Sequence, residues 1–148
     1  MDQFITEYSL PTLFLLSFAA STLLPLGSEW LLALLVIKAD SALPAVLTAT
    51  AGNFLGACTT YLIGLWGADF VIVKILRISS ETSAKAQEVF RKWGVWTLLF
   101  SWLPIIGDPL CLAAGILKTH PLIFSIFVFS GKLFRYIFVA WVVLSSVA

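Results

Sequence analysis

Four long apolar stretches alternate with short polar segments along the chain. Ser41–Ala68 carries no charged residue, and Pro121–Ala148 carries only Lys132 and Arg135. About 20 apolar residues are enough for a helix to cross the roughly 30 Å hydrocarbon core of a bilayer. The pattern therefore predicts one membrane-spanning helix in each of these two stretches.

The other two apolar stretches, 9–37 and 93–117, are each interrupted by proline, glycine and a carboxylate. Proline removes a backbone donor and clashes with the preceding helical turn. We expect each stretch to fold back as a re-entrant hairpin, with its broken backbone covered by protein or lining a cavity. The residues predicted to break the hairpins are Pro25, Gly27, Pro104, Gly107 and Pro109.

The polar segment 69–92 predicts an amphipathic helix on the membrane surface. Its apolar residues recur at helical spacing, and Ser79 or Ser80 is a suitable N-cap. Two acid–base pairs, Glu81–Lys85 and Glu88–Lys92, are spaced to meet on the opposite face. The apolar stripe consists of Ala86, Val89, Phe90 and Trp93. An ordinary solvated connector is the alternative interpretation.

The chain contains an internal repeat, in which a broken hairpin is followed by a spanning helix. Both spanning helices carry a glycine pattern, Gly52-Asn53-Phe54-Leu55-Gly56 in the first and Gly131-Lys132-Leu133-Phe134-Arg135 in the second. We divide a single membrane domain, 1–148, into repeat one (9–68), the surface linker (69–92) and repeat two (93–148). Because one crossing separates the hairpins, the repeats are inverted, an arrangement typical of transporters.

Charge bias predicts the orientation of the chain. Five of the nine basic residues lie in the linker, so the positive-inside rule places it in the cytoplasm. Both termini then face outward. A competing topology has four full spans with both termini cytoplasmic. Lys118 and His120 distinguish the two, since they are cytoplasmic in the inverted repeat and external in the four-span topology.

Glu29, Asp108, Lys132 and Arg135 are the charges expected inside the membrane. Each costs about 2.5–3.5 kcal/mol at the bilayer centre on the insertion scale, so they should face one another or a wet cavity. One interpretation is a buried ion-pair network that fixes the repeats together. The other is a polar cavity that binds a charged substrate or relays protons through these four residues.

Composition excludes several classes of function. With 60% hydrophobic and 11% charged residues, the chain is too apolar for a soluble domain of 148 residues. A net charge of +1 gives no nucleic-acid footprint. A single histidine and two cysteines inside apolar runs give no metal site or catalytic triad, so we expect no cofactor and no enzyme. The acidic N-terminus predicts that the apolar run from Ser9 is retained.

Three segments resemble motifs of the DedA family of the SNARE-associated (VTT-domain) superfamily, and more closely its short YqaA-like members. They are the glycine-rich run Gly52–Gly67, the hairpin sequence Phe100–Gly115 and the sequence Pro25–Glu29. The resemblance implies that the glycine-rich run and the second hairpin supply helix-packing positions. These are Gly52, Asn53, Gly56, Tyr61, Gly64 and Gly115.

The family resemblance also implies two facing re-entrant hairpins and a role in translocating lipid phosphates or phospholipids, or in proton-linked membrane homeostasis. Family members that carry lipids usually have arginines around the second proline, where this chain has Ser101 or Trp102 and Gly107. From the two predicted spanning helices and the family resemblance together, we predict an all-α, multi-pass protein of the bacterial inner membrane. It is expected to act as a small transporter or lipid flippase with a polar midplane cavity.

The expected partners are membrane lipids, including lipid phosphate headgroups, protons or other ions, and a second copy of the chain. Nucleic acid is not an expected partner. The alternative function is that of a non-transporting membrane assembly or structural protein, whose buried charges only hold the repeats together.

Overall fold

A computed structural model of the chain describes residues 2–22, 28–38, 42–67, 78–103 and 106–147, with side chains from residue 10 onward. Every regular element in these ranges is a helix, as predicted. The elements are α1 (Asp2–Ala20), α2 (Glu29–Lys38), α3 (Leu43–Trp66), α4 (Ser80–Trp93), a 3₁₀ helix (Gly94–Trp102), α5 (Gly107–Ile116) and α6 (Pro121–Val147).

Two helices in the described ranges, α3 and α6, are long and apolar enough to cross a membrane. They have 24 and 27 residues, and a proline lies in the first turn of each, where its missing N–H is not needed for an intrahelical bond. The sequence placed both helices within two residues of their observed ends. That prediction is confirmed at the level of helix length and composition.

Each of these two long helices follows two shorter elements, which we call its first and second arm. α1, α2 and α3 form the first half of the molecule, and the 3₁₀ helix, α5 and α6 form the second half. α2 and α5 have ten residues each, which corresponds to about 15 Å at the helical rise of ~1.5 Å per residue. α1 begins at Asp2, earlier than the apolar run predicted, and its part Leu10–Ala20 is an apolar helix. Three of the predicted breaking residues, Pro25, Gly27 and Pro104, lie outside the described part of the chain.

The other two predicted breaking residues lie in the first turn of α5. Pro109 is buried there, at a position where the backbone N–H of a helix has no intrahelical partner. Gly107 is the first residue of α5, and a Cβ at this position would overlap the carbonyl oxygen of Ser101. In the described structure, both residues therefore belong to the beginning of α5.

The first arm of each half runs in the same direction as the spanning helix of that half. Along α1 and α3, Phe14 approaches Gly52 and Phe18 approaches Gly56, at positions where an added Cβ would overlap a carbonyl oxygen. Along the 3₁₀ helix and α6, the rings of Trp96 and Phe127 lie 5.4 Å apart, edge to face. Further along this pair of elements, the carbonyl oxygen of Leu99 lies 3.0 Å from where a Cβ on Gly131 would sit.

The second arm of each half packs against the spanning helix of the other half. On α2 and α6, Ser28 and Tyr136 share a hydrogen bond of 2.8 Å, and Leu35 joins the same core cluster as Ala140. On α5 and α3, Leu112 approaches Gly64 so closely that a Cβ there would overlap its carbonyl oxygen. These contacts interlock the two halves.

Helix α4 begins as predicted, with Ser79 as its N-cap accepting a hydrogen bond of 3.1 Å from the backbone N–H of Thr82. The predicted pair Glu81–Lys85 forms at 2.6 Å. The second predicted pair does not form, although Glu88 and Lys92 both lie in the described part of the chain. Lys92 instead lies over the indole ring of Trp93, 5.8 Å from its centroid.

The apolar stripe of α4 is divided between two environments. Ala86 and Phe90 are buried in a core cluster with residues of α5 and the 3₁₀ helix. Val89 and Trp93, on the same predicted stripe, are 45% and 63% exposed. Half of the stripe therefore packs on α5 and the 3₁₀ helix, and the other half is exposed.

The backbone is strained at Lys118, just after α5. Lys118 has a φ of +54°, in the left-handed region that favours glycine. The backbone N–H groups of Lys118 and Thr119 bond the carbonyls of Gly115 and Ala114, a Schellman motif that ends the helix. The Tyr61 hydroxyl donates to the Thr119 carbonyl and so ties this turn to α3.

Candidate functional site

Glu29 and Arg135 form an ion pair between the two halves of the molecule. Glu29 is the first residue of α2, and its Oε1 accepts a hydrogen bond from Nη2 of Arg135 on α6. Nη1 of Arg135 donates to the carbonyl oxygen of Trp102, at 2.9 Å. The side chains of Arg135 and Glu29 remain 18% and 26% exposed. The pair is therefore held in place but is not sealed.

Lys132 and Asp108 belong to a second, more deeply buried cluster. The Lys132 ammonium, on a residue only 3% exposed, donates to Oδ1 of Asn53 and, at 3.3 Å, to Oγ of Ser21. The Ser21 hydroxyl in turn donates to Oδ1 of Asp108, at 3.1 Å. Lys132 and Asp108 form no direct ion pair, although both are described. Their opposite charges are connected through Ser21.

Small residues allow the backbones around these clusters to approach closely. At Gly131, beside Lys132, an added Cβ would lie 3.4 Å from the Ser101 hydroxyl oxygen. At Gly56 a Cβ would lie 2.8 Å from the Cβ of Ser21, which faces Asp108. Larger side chains at these positions would separate the elements that bring the charges together.

Both carboxylates lie at helix N-termini. Glu29 and Asp108 occupy the first turns of α2 and α5, where unpaired backbone N–H groups and the helix dipole favour negative charge. In the sequence, each acid lies at a proline–glycine interruption and is followed by an apolar run. The helix N-termini thus supply part of the stabilisation that a carboxylate loses when it leaves bulk water.

The structure separates the two basic residues that the sequence grouped. Lys132 and Arg135 are three residues apart on α6. Lys132 contacts Ser21 after α1 and Asn53 on α3, whereas Arg135 contacts Glu29 on α2. Ser21 and the carbonyl of Trp102 were not anticipated as partners. Nothing in the sequence distinguishes Ser21 from other serines in apolar runs, and a backbone carbonyl carries no sequence signal.

The predicted packing residues lie at contacts between helices. Asn53 donates through Nδ2 to the carbonyl oxygen of Ser17 at 3.2 Å, which joins α3 to α1. A Cβ at Gly115 would overlap the carbonyl oxygen of Tyr61, so α5 and α3 are in backbone contact there. Gly52, Gly56 and Gly64 make the close approaches given above.

Within the described residues, no three histidine, cysteine, aspartate or glutamate side chains are grouped closely enough to hold a metal ion. Cys58 and Cys111 are free thiols on α3 and α5. Two hydroxyl groups in the described structure, on Ser17 and Ser101, are buried without a hydrogen-bond partner. The polar chemistry of the site therefore resides in two acids, two bases and neutral oxygen groups.

This arrangement is balanced in charge but unequal in access. The Arg135 side chain is 18% exposed, and its guanidinium is a group that binds carboxylates and phosphates through directed hydrogen bonds. Lys132 has no comparable access, since its residue is almost entirely buried.

Comparison with known proteins identifies relatives across most of the chain. Residues 24–145 match the family model for the VTT domain. The chain is 40% identical over 135 residues to the inner membrane protein YqaA of Escherichia coli (strain K12), covering 89% of each sequence, and equally similar to YqaA of Shigella flexneri.

An uncharacterized protein of Haemophilus influenzae (strain Rd) is 35% identical over 137 residues, which cover 87% of this chain and 83% of that relative. No solved structure matches the chain significantly.

Proposed function

We propose, from the premise that this chain belongs to the VTT-domain (DedA) family, that it is a small transporter or lipid flippase of the bacterial inner membrane. The species moved is a lipid headgroup or a small ion. The observation that carries the proposal is the Glu29–Arg135 pair, which joins the two halves and remains partly accessible. The names of the YqaA relatives support the inner-membrane location.

The packing order of the helices supports an inverted repeat of re-entrant hairpins. α1 runs parallel to α3 as far as Ser21, whose carbonyl oxygen accepts from Thr60, and α2 then packs on α6. In the second half the 3₁₀ helix runs parallel to α6 as far as Trp102, and α5 then packs on α3. Exchanging the two halves leaves this set of contacts unchanged, as a pseudo-two-fold axis requires.

The position of Tyr61 supports the same topology for the second hairpin. Its hydroxyl bonds the Thr119 carbonyl after α5, so the end of α5 lies near the C-terminal end of α3. The chain enters the second hairpin from α4, which also follows the end of α3. Entry and exit on one side would support a hairpin that does not cross.

Lengths and charges fit the proposed orientation. Arg135 lies 14 residues beyond the start of α6, or about 21 Å along a helix, and therefore deep in the membrane. Lys85, Arg91 and Lys92 lie exposed on α4, and the positive-inside rule places α4 on the cytoplasmic side. In the proposed orientation the two hairpins enter the membrane from opposite faces.

In the proposed mechanism, Arg135 exchanges Glu29 for an anionic group of the substrate. Protonation of Glu29 would also release Arg135, since it removes the charge with which the guanidinium pairs. This step links opening to proton entry. The Lys132–Ser21–Asp108 cluster keeps the halves in register, because its contacts join α1, α3, α5 and α6.

The second candidate function is that of a non-transporting protein that supports the assembly of membrane partners. The burial of Lys132 favours it, because a sealed and hydrogen-bonded ammonium is typical of a structural role. Under this alternative the Glu29–Arg135 pair would also be structural.

Reconstitution in liposomes tests the proposal. Purified protein is expected to accelerate the movement of labelled phospholipid or of protons across the vesicle membrane, relative to protein-free vesicles. Arg135→Ala is expected to reduce this flux to the protein-free level, because no other described cation is both deep in the membrane and accessible. Lys38→Ala, which removes an exposed charge at the end of α2, is the matched control and should retain flux.

Two results would contradict transport. Equal flux with and without Arg135, at equal amounts of folded protein, would remove the proposed site. No flux from wild-type protein, together with a lower folded yield of Arg135→Ala, would favour the structural alternative.

A further inference from the structure

The Lys132 ammonium lies among oxygen atoms contributed by three other helices or their ends. It contacts the amide oxygen of Asn53 on α3 and the hydroxyl oxygen of Ser21 after α1, and Ser21 contacts the Asp108 carboxylate on α5. These are an amide, a hydroxyl and a carboxylate oxygen. Hard cations take oxygen ligands of these kinds in proteins.

The hydrogen-bond directions around Lys132 are fixed by chemistry. An ammonium can only donate and a carbonyl can only accept, so Asn53 must turn its oxygen to Lys132 and its NH₂ to the Ser17 carbonyl. Ser21 accepts from Lys132 and therefore has its own proton free for Asp108. Asn53 and Ser21 thus each present an oxygen lone pair toward the positive charge.

Ser17 is a neighbour of Asn53, because its carbonyl oxygen accepts a hydrogen bond from the Asn53 amide. Ser17 also has a fully buried hydroxyl that lacks a hydrogen-bond partner in the described structure. A buried hydroxyl without a partner costs free energy. Asn53 and Lys132 also hold corresponding positions in the sequence repeat, since Asn53 follows Gly52 and Lys132 follows Gly131.

We propose that the Lys132 ammonium is a tethered cation that occupies an oxygen-lined site for a monovalent metal ion. Wild-type protein fills this site with its own side chain and needs no Na⁺ to join the four segments. Removing the ammonium leaves the Asp108 charge uncompensated at depth and empties the space between Asn53 and Ser21. Na⁺ then enters and restores both the charge balance and the oxygen contacts. The inference does not depend on transport.

Thermal unfolding of purified protein in detergent, in NaCl or in choline chloride at equal ionic strength, tests this inference. Wild-type protein and Lys38→Ala, which loses an exposed charge elsewhere, should unfold at the same Tm in both salts. Lys132→Ala should unfold at a Tm higher in NaCl by at least about 2 °C, saturating with Na⁺ concentration. Adding Asn53→Ala to this variant should abolish the difference, because it removes the amide oxygen.

Lys132→Met distinguishes a need for charge from a need for volume, since it fills the space without a charge. If Lys132→Ala yields folded protein only when extracted in NaCl, the proposal is supported. Recovery of Lys132→Met but not Lys132→Ala in every salt would overturn it, since volume alone would then be required. Equal Tm values of Lys132→Ala in the two salts would also overturn it, as would a Na⁺ shift that survives Asn53→Ala.

Discussion

At the scale of single residues, depth and partners decide what each charge can do. Lys132 contacts two oxygen atoms and is nearly inaccessible, while Arg135 bonds one carboxylate and one carbonyl and its side chain is 18% exposed. Leaving either base unpaired in the membrane would cost several kcal/mol. This is why each has its own partners.

The left-handed backbone at Lys118 gives a prediction about stability. Lys118→Gly should raise the free energy of unfolding by up to about 1 kcal/mol, because glycine adopts a positive φ without the steric cost of a Cβ. Thermal or denaturant unfolding in micelles measures the change. Leu117→Gly is the control, since Leu117 has a φ of −84° and its substitution should lower stability. If Lys118→Gly lowered stability as much as Leu117→Gly, the proposed strain would be absent.

Several residues of the site were predictable from sequence because membrane charges are rare and expensive. Glu29, Asp108, Lys132 and Arg135 are identified by that argument alone. Which acid meets which base was not predictable, because the pairing depends on how α2 and α5 cross between the halves. Ser21 was missed for the same reason, since its role comes from its position opposite Asp108.

At the scale of elements, the long apolar runs predicted α3 and α6. The apolar stripe and the N-cap Ser79 predicted α4. The 3₁₀ form of Gly94–Trp102 was not predicted, because its apolar residues are compatible with either helix type. It begins at Gly94, whose φ of 64° and ψ of −153° are confined in practice to glycine, so the chain changes direction sharply there.

The divided apolar stripe of α4 leads to a prediction at this scale. Phe90→Ala should lower the free energy of unfolding by about 3–5 kcal/mol, since Phe90 is 6% exposed and packs in the core shared with α5. Val89→Ala, one position earlier and 45% exposed, should change it by less than about 0.5 kcal/mol. Denaturant unfolding in micelles compares the two variants.

Equal effects of Phe90→Ala and Val89→Ala would contradict the docking of α4 on α5. They would instead favour a helix whose whole apolar stripe faces lipid.

At the scale of the whole molecule, the two halves interlock through their short helices. The ten-residue helices α2 and α5 are too short to span a membrane, and polar backbone at membrane depth would have to be covered by protein. α2 packs on α6 and α5 packs on α3, so each half covers the arm of the other. The repeat in the sequence predicted two similar halves. The packing of α2 on α6 and of α5 on α3 could not be predicted from sequence, because it arises from contacts between residues far apart along the chain.

Cysteine accessibility from the two sides of the membrane tests the inverted architecture most directly. In a chain carrying Cys58→Ala and Cys111→Ala, single cysteines are introduced as Lys85→Cys on α4, His120→Cys after α5 and Ser145→Cys near the end of α6. A membrane-impermeant thiol reagent is then applied to intact cells and to inverted vesicles.

The inverted repeat predicts that positions 85 and 120 react only from the cytoplasmic side and position 145 only from the outside. Reaction of position 120 from the outside, with positions 85 and 145 both cytoplasmic, would contradict it and establish four full spans.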